Sequence, residues 1–221
     1  MMNIASNKYF SQADLDRIAT AVKAAERQTS AEIVPYFVPE SDDYERAVWR
    51  SALLFGSIPL AALAGLRLFS DLWLTTNALQ ISLAFFVASM FGFFLTYFFA
   101  PFKRFFAGKD LMQHRCSQRA TQAFLSEEIF KTRDRTGILI FMSFLERTVV
   151  VLGDSGINAK VQQAEWDAIV QMIVAGMKEA RYTDGLLQAI GQCGELLRRR
   201  CVKRRARDKD ELSDHMRVGK K

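Results

Sequence analysis

One long stretch of this sequence carries no charge: no Asp, Glu, Lys or Arg occurs from Leu72 to Phe102. A helix needs about 20 consecutive apolar residues to cross the roughly 30 Å hydrocarbon core of a bilayer. The segment from Ala78 to Ala100 meets this requirement, and its phenylalanines would point in every direction around a helix. A soluble domain of this size cannot easily enclose such a helix on all sides. The segment therefore predicts a transmembrane span that ends near Pro101.

A shorter apolar segment lies before it, between Arg50 and Arg67. At 1.5 Å per residue its uncharged part reaches only about 24 Å. A span is possible if both arginine side chains extend outward to the two interfaces. We therefore predict two spans, about 49–69 and 78–101, in a transmembrane helical hairpin that covers residues 47–108.

Positive charges flank this hairpin on one side only. Arg46 and Arg50 precede the first span and Lys103 and Arg104 follow the second, whereas the turn 70–77 contains no Lys or Arg. Cytoplasmic loops of membrane proteins carry an excess of Lys and Arg. The sequence thus predicts an integral protein of the plasma or inner membrane, with both termini and the remaining domain in the cytoplasm. The N-terminus lacks the apolar region of a cleavable signal peptide.

The residues outside the hairpin show helical and strand patterns. Ser11 begins a capping-box-like SQAD, which predicts an amphipathic helix, and residues 32–38 predict a strand. After the hairpin and a further helix, residues 137–144 are apolar without alternation, which is typical of a strand buried on both faces. A short turn leads to a strand at 148–153, which predicts an antiparallel hairpin. Two amphipathic helices follow, the second with Thr183 as its expected cap.

This order of elements predicts an α/β fold: a small mixed sheet sandwiched by helices and interrupted by the two-helix transmembrane hairpin. One helix and one strand cannot bury a core alone. We therefore expect residues 1–46 to fold together with residues 109–202 as one split domain. The strand 32–38 would then supply the second neighbour of the strand 137–144. Residues 203–221 form a basic and then mixed-charge tail.

The basic residues are concentrated near the end of the chain, where eight of the twelve residues from Arg198 to Lys209 are Lys or Arg. No nucleic-acid recognition module accompanies this charge, so we expect no nucleic-acid partner. The tail could be a solvated segment that follows the positive-inside bias. Alternatively it could contact anionic lipid head groups, at about 1 kcal/mol for each basic residue near the surface. The residues for that contact are Arg198, Arg199, Arg200, Lys203, Arg204 and Arg205.

Motifs of common catalytic and metal sites are absent from the sequence. Three cysteines with no CxxC pair indicate neither a disulfide framework nor a zinc site. Residues 153–156 (GDSG) copy the letters around a serine protease nucleophile. However, the two histidines, His114 and His215, are not placed to complete a triad.

Several short motifs, taken in order, resemble the TPM domain family. They are TSAEIV at 29–34, RDRTGILI at 133–140, ERTVVV at 146–151, YTDGL at 182–186 and GELL at 194–197. The resemblance covers nearly everything outside the hairpin and the tail, and it implies an α/β sandwich with a central sheet. The family includes proteins that maintain membrane complexes. It is also labelled a phosphatase family, and acidic residues near its sheet have been connected with metal.

The resemblance directs attention to the loop before the central strand. Many members carry Asp-Asn-Gly there, whereas this chain has Arg135-Thr136-Gly137, with Asp134 one position earlier. An arginine beside a cation site adds like charge. The candidate ligands for calcium or magnesium are Asp134, Asp154 and Asp184, at strand or helix ends. The alternative is that these three carboxylates cap turns and helices.

The sequence therefore predicts a membrane-tethered cytoplasmic TPM-domain protein. We expect a non-catalytic interaction module, or an assembly or maintenance factor for a membrane complex, whose membrane-protein partner the sequence does not name. The alternative function is a metal-dependent phosphatase. Two spans without intramembrane charge offer no ion path, which argues against a channel or transporter.

Overall fold

A mixed β-sheet lies at the centre of the α/β domain. The computed structural model describes residues 9–69, 77–200 and 212–219. In these residues β1 (Glu32–Val38), β2 (Gly137–Ser143), β3 (Thr148–Gly153) and β4 (Arg217–Val218) form a sheet in the order β3-β2-β1-β4. β1 is parallel to β2 and β4, and β2 is antiparallel to β3. The predicted α/β fold with a small mixed sheet is confirmed, as is the pairing of β1 with β2.

Helices cover both faces of this sheet. One face packs against α1 (Gln12–Glu26), α7 (Gln163–Lys178) and α8 (Tyr182–Arg199), and the other packs against α5 (Lys109–Ser126). A 3-10 turn, Ile129–Lys131, precedes β2, and α6 (Ser155–Asn158) is a single turn after β3. The sheet is therefore the middle of three layers.

Burial on both faces explains why the sequences of the two central strands, β1 and β2, do not alternate between apolar and polar residues. Every residue of β1 and of β2 is buried. In β1 the side chains of Ile33 and Phe37 lie in the core with α1, α7 and α8, whereas Val34 and Tyr36 lie in the core with α5. Burial of each large apolar side chain contributes roughly 1.5–3 kcal/mol. Both faces of these strands thus stabilise the domain.

An apolar helix pair lies in the chain between β1 and β2. The described residues up to 41 and from 113 onward form one compact unit, and the described residues between 42 and 112 form another. The parallel register of β1 and β2 runs from Glu32 opposite Gly137 to Val38 opposite Ser143. The sheet is therefore built from segments on both sides of the apolar pair in the sequence.

The helix pair consists of α2 (Glu45–Phe69) and α3 (Ala78–Phe98), followed by the short α4 (Ala100–Ala107). By length and composition, α2 and α3 are each able to cross a membrane, and only 17% and 6% of their most apolar windows are buried. A buried core helix would show the opposite. The hydroxyl of Ser51 donates a hydrogen bond to the Gly92 carbonyl oxygen at 3.0 Å, so the two backbones approach closely. Small residues at such contacts are typical of membrane helix packing.

Some element boundaries differ from those predicted. α3 ends at Phe98, and Pro101 lies at the start of α4, because extended backbone at Phe99 separates the two helices. Thr183 does not cap α8, which begins one residue earlier with Arg181 at the cap position. β4 lies in the part of the chain for which we predicted only a tail.

Parts of those predictions fall outside the described residues. They are the turn at 70–76, Cys201 and three of the tail residues expected to contact lipid, Lys203, Arg204 and Arg205.

Candidate functional site

The loop before β2 meets the end of β3 at the first candidate site. The N–H of Gly156 donates to the carbonyl oxygen of Arg135 at 3.0 Å, and the N–H of Asp154 donates to that of Gly137 at 2.9 Å. A Cβ atom added to Gly156 would lie only 2.3 Å from the carbonyl oxygen of Asp134. The backbones of the two segments are therefore in direct contact, and position 156 has no room for a side chain.

The two carboxylate oxygens of Asp154 have different contacts there: Oδ1 accepts a hydrogen bond, whereas Oδ2 has an ion pair but no hydrogen-bond partner among the described residues. Asp154 is only 5% exposed, and as the N-cap of α6 its Oδ1 accepts a hydrogen bond from the Ser155 N–H at 2.6 Å. Its Oδ2 lies 3.0 Å from Nε of Arg135 in an ion pair. A buried carboxylate needs a neutralising partner. In this chain a guanidinium supplies the positive charge.

The Arg135 side chain is held in place by two further contacts. Its Nη1 donates to the Phe130 carbonyl oxygen at 3.1 Å, and the guanidinium lies 5.8 Å from the centroid of the Phe130 ring. Arg135 itself has a positive φ of 56°, a left-handed conformation that asparagine adopts more readily than arginine. The contacts of the side chain therefore compensate for an unfavourable backbone conformation.

The three candidate metal ligands do not converge. Asp184 lies in the first turn of α8, where its Oδ1 is 3.3 Å from Nη2 of Arg17 in α1 and its side chain is 60% exposed. Asp134 contributes its backbone to the loop beside Gly156, and its side chain also has interactions. Over residues 9–69, 77–200 and 212–219, no group of three or more His, Cys, Asp and Glu residues could hold a metal ion. Among these residues, Asp134, Asp154 and Asp184 therefore form no common carboxylate cluster.

A second, buried polar cluster lies at the other end of β1 and β2. Glu146 is 6% exposed and accepts hydrogen bonds from the Ser41 N–H at 2.8 Å and from the Ser143 hydroxyl. The Ser41 hydroxyl donates to Ser143 Oγ at 2.9 Å and lies 3.3 Å from Sγ of Cys116. Sequence reasoning missed this cluster because its residues are separated by up to 105 positions and form no local motif.

The chemistry of this cluster is not that of an activated nucleophile. Burial raises the pKa of the Cys116 thiol to about 11, with the charge of Glu146 acting in the same direction. A thiol is nucleophilic only as the thiolate. Cys116 is therefore protonated at neutral pH and acts as a packing and hydrogen-bonding residue of α5.

A pair of carboxyl groups lies at the start of β1. Oε1 of Glu26 accepts a hydrogen bond from the Ile33 N–H at 2.7 Å, and the carboxyl group of Asp214 in the C-terminal segment lies close to the Glu26 carboxyl group. Burial, with the charges of Glu32 and Asp214, raises the pKa of Glu26 to about 9. Burial and these neighbouring negative charges thus favour the protonated form of Glu26.

The described arginines of the predicted lipid-contact set are paired within the domain. Arg198 and Arg199 both lie within 3.0 Å of Glu195, and Arg200 lies 2.6 Å from Glu165. The hydrogen bonds from Arg198 and Arg199 lower the pKa of Glu195 to about 2. All of these groups are near the surface, so the pairs are weak. Contact of this region with anionic lipid stays a prediction.

The short helix α4 has an amphipathic surface. Phe105 is 78% exposed, and Lys103 and Arg104 lie between it and Phe102 in the sequence. An apolar groove of about 420 Å³ adjoins this helix. It is lined by Leu54, Phe55, Pro101, Phe102, Phe105 and Phe106. A short helix with exposed aromatic residues and basic residues is suited to lie in a membrane interface.

Comparison with known proteins finds a family match for part of the chain. Residues 106–196 match the TPM domain family. The predicted resemblance to this family is therefore confirmed for that segment. The fold is also similar to the NMR structure of BA42 protein from the psychrophilic bacterium Bizionia argentinensis. That likeness has a TM-score of 0.60 at 18% sequence identity and covers 99% of this chain and 100% of that chain, so it bears on the fold alone. No curated protein sequence matches the chain.

The TPM match begins after the apolar helix pair and includes β2 and β3. β1 lies outside the matched residues, yet it supplies the parallel neighbour of the central strand. The sheet of this protein therefore includes strands outside the segment that matches the family.

Proposed function

We propose that this protein is a membrane-anchored TPM-domain protein whose domain is a non-catalytic interaction or assembly module for a membrane complex. The observation that carries the proposal is the Arg135–Asp154 ion pair, with Nε and Oδ2 3.0 Å apart. Arg135 belongs to the loop in which the family resemblance implies metal, and its guanidinium forms an ion pair with the buried carboxylate of Asp154 at the end of β3. A domain that neutralises this carboxylate with its own side chain does not need a divalent cation there.

The other buried reactive groups support the same proposal. Burial keeps Cys116 protonated, and Glu146 is occupied by Ser41 and Ser143. A general base must be within reach of a substrate proton. These groups instead bond to each other inside the domain. The phosphatase alternative rests on the name of the family and on Asp134, Asp154 and Asp184, which form no cluster of carboxylates within the described residues.

The anchor is supported by the apolar helix pair. α2 and α3 are long, apolar and mostly exposed, and the aromatic, basic helix α4 follows α3 directly. Exposed apolar surface on this scale marks contact with lipid or with another protein. The placement of Lys and Arg favours a cytoplasmic TPM domain, as in the positive-inside rule.

Titration of the full chain in detergent micelles tests the non-catalytic role. We expect that neither calcium nor magnesium causes saturable amide shifts near Asp154 or raises the melting temperature. We also expect no turnover of para-nitrophenyl phosphate above that of the variant Asp154→Asn. Saturable shifts together with turnover that Asp154→Asn abolishes would establish the phosphatase and overturn the proposal.

A further inference from the structure

The two edges of the sheet differ in whether their outward backbone groups are hydrogen-bonded. On the side of β1 that faces away from β2, these groups are capped, absent or paired. The N–H of Ile33, which points away from β2, donates to Glu26. Pro35 follows two residues later on the same edge and has no N–H. β4 covers Tyr36 and Phe37, and the Gly219 N–H donates to the Phe37 carbonyl oxygen at 2.8 Å. The side-chain cap, the proline and the short strand β4 together leave no continuous row of free backbone groups along β1 to which another strand could bind.

The edge beyond β3 has a different hydrogen-bond pattern. In an antiparallel pair of strands, hydrogen-bonded and non-hydrogen-bonded residue pairs alternate. The hydrogen bond from the Asp154 N–H to the Gly137 carbonyl oxygen shows which residues of β3 bond to β2. Thr148, Val150 and Leu152 direct their N–H and C=O groups towards β2, so Val149 and Val151 direct theirs outward. In the part of the chain that the structure describes, no hydrogen bond reaches these four outward groups. The next outward carbonyl, that of Gly153, is capped by Nδ2 of Asn158 at 2.7 Å.

β3 also lacks the residues that usually protect an edge strand. Its sequence, TVVVLG, contains no charged residue and no proline. Natural proteins block exposed edges with charges, prolines, bulges or a covering segment. This chain uses such devices along β1, whereas on β3 the cap at Gly153 leaves the outward groups of Val149 and Val151 uncovered, which marks this edge as a surface for strand addition.

We propose that a second copy of this chain adds its own β3 antiparallel to this edge, so that two sheets join into one. Val149 then lies opposite Val151 of the second copy, and Val151 lies opposite Val149 of the second copy. The two-fold axis passes beside Val150. This register pairs all four outward backbone groups of each copy and opposes no like charges.

Self-complementarity is the reason to choose a second copy as the occupant. A neutral strand with valines at both outward positions forms the same bonds with itself, whereas it offers no charge to select a different partner. The capped carbonyl of Gly153 limits the ladder to a few residues. The contact is therefore short, and it is favoured when copies are concentrated. The proposed anchor would raise that concentration, although the contact does not depend on it.

Disulfide trapping in the full chain tests this register. In the proposed dimer the two Val150 residues form a non-hydrogen-bonded pair with Cα atoms about 4.5 Å apart, within the range of a disulfide. Leu152 lies opposite Thr148 of the second copy, which is four residues along the strand from that copy's Leu152. The two Leu152 residues are therefore roughly 13 Å apart. We expect Val150→Cys, in a Cys201→Ser background, to form an oxidised homodimer at least tenfold faster than the control Leu152→Cys.

Two further measurements complete the test. Mixing Thr148→Cys with Leu152→Cys should give a cross-linked heterodimer of the two variants, since these positions are opposite in the register. Val151→Pro, which removes an outward N–H but no hydrogen bond to β2, should abolish trapping at Val150→Cys while the melt stays cooperative. Equal trapping at positions 150 and 152, no trapping in a folded chain, or trapping to another protein instead of a second copy would each overturn the proposal.

Discussion

At the scale of single residues, Glu26 gives the clearest consequence for stability. Its pKa is raised to about 9 in the folded domain from an ordinary value of 4.5. The folded state therefore binds more protons than the unfolded state between these values, so the free energy of unfolding falls as the pH rises through this window. Glu26 contributes most stability at the acidic end of the window and loses that contribution by pH 9.

Glu26→Gln should remove this dependence. The amide oxygen can still accept the Ile33 N–H, and the amide nitrogen can donate to Asp214 without needing a proton. We expect the variant to melt at a higher temperature than the wild type at pH 9 and at about the same temperature near pH 5. Calorimetry at both pH values measures the difference. A variant that is less stable at pH 9 would show that Glu26 is ionised and favourably placed in the folded domain.

The Arg135–Asp154 pair gives a second residue-scale prediction. Arg135→Asn relieves a positive φ of 56° but leaves the 5%-exposed Asp154 without its guanidinium. Loss of the charged partner of a buried group costs roughly 1–3 kcal/mol, so we expect a lower free energy of unfolding. Arg147→Asn is the matched control, since Arg147 also has a positive φ, 52°, and is exposed. Equal denaturant midpoints for the two variants would mean that the ion pair does not stabilise the domain.

Sequence reasoning at this scale succeeded where the partners are close in the chain. The capping box of Ser11 and Asp14 is confirmed, because its hydrogen bonds span three residues. It failed for Ser41, Ser143 and Glu146, whose contacts exist only after β1 and β2 have paired. The placement of Arg135 on Asp154 also depends on tertiary structure, although the unusual Arg135 was visible in the sequence.

At the scale of elements, hydrophobic pattern predicted the strands that carry the core. β2 and β3 form the predicted antiparallel hairpin, with Ser143 opposite Thr148. β4 was missed, because a two-residue strand has no periodicity and is held by pairing with Tyr36 and Phe37. The break between α3 and α4 was also missed, since nothing in the residues before Pro101 identifies the extended backbone of Phe99.

Packing of α2 against α3 can be tested at a glycine. A Cβ atom added to Gly92 would lie 2.8 Å from Cβ of Phe55, whereas one added to Gly65 would meet no atom within 4 Å. We expect Gly92→Leu to separate the helices and lower the melting temperature of the full chain in detergent by several degrees. Gly65→Leu should leave it within about one degree. Similar melting temperatures for both variants would contradict the close contact of α2 and α3.

At the scale of the whole molecule, the sheet depends on residues on both sides of the apolar helix pair. Without residues 1–46, β2 loses its parallel neighbour, and Ile33 and Phe37 no longer fill the core. We therefore expect residues 109–202 alone to lack a cooperative melt, although they contain most of the matched TPM segment. Circular dichroism of this fragment and of the full chain makes the comparison. A cooperative melt at the wild-type temperature would show that the split-domain prediction is wrong.

The most direct measurement of the membrane-anchored account is the topology of the full chain in native membranes. A reporter fused after Lys221 should read cytoplasmic, and one inserted at Thr75 should read external, because the basic residues lie on the other side of both apolar helices. Exposure of both reporters on the cytoplasmic side, or release of the chain from the membrane by alkaline carbonate, would contradict the account.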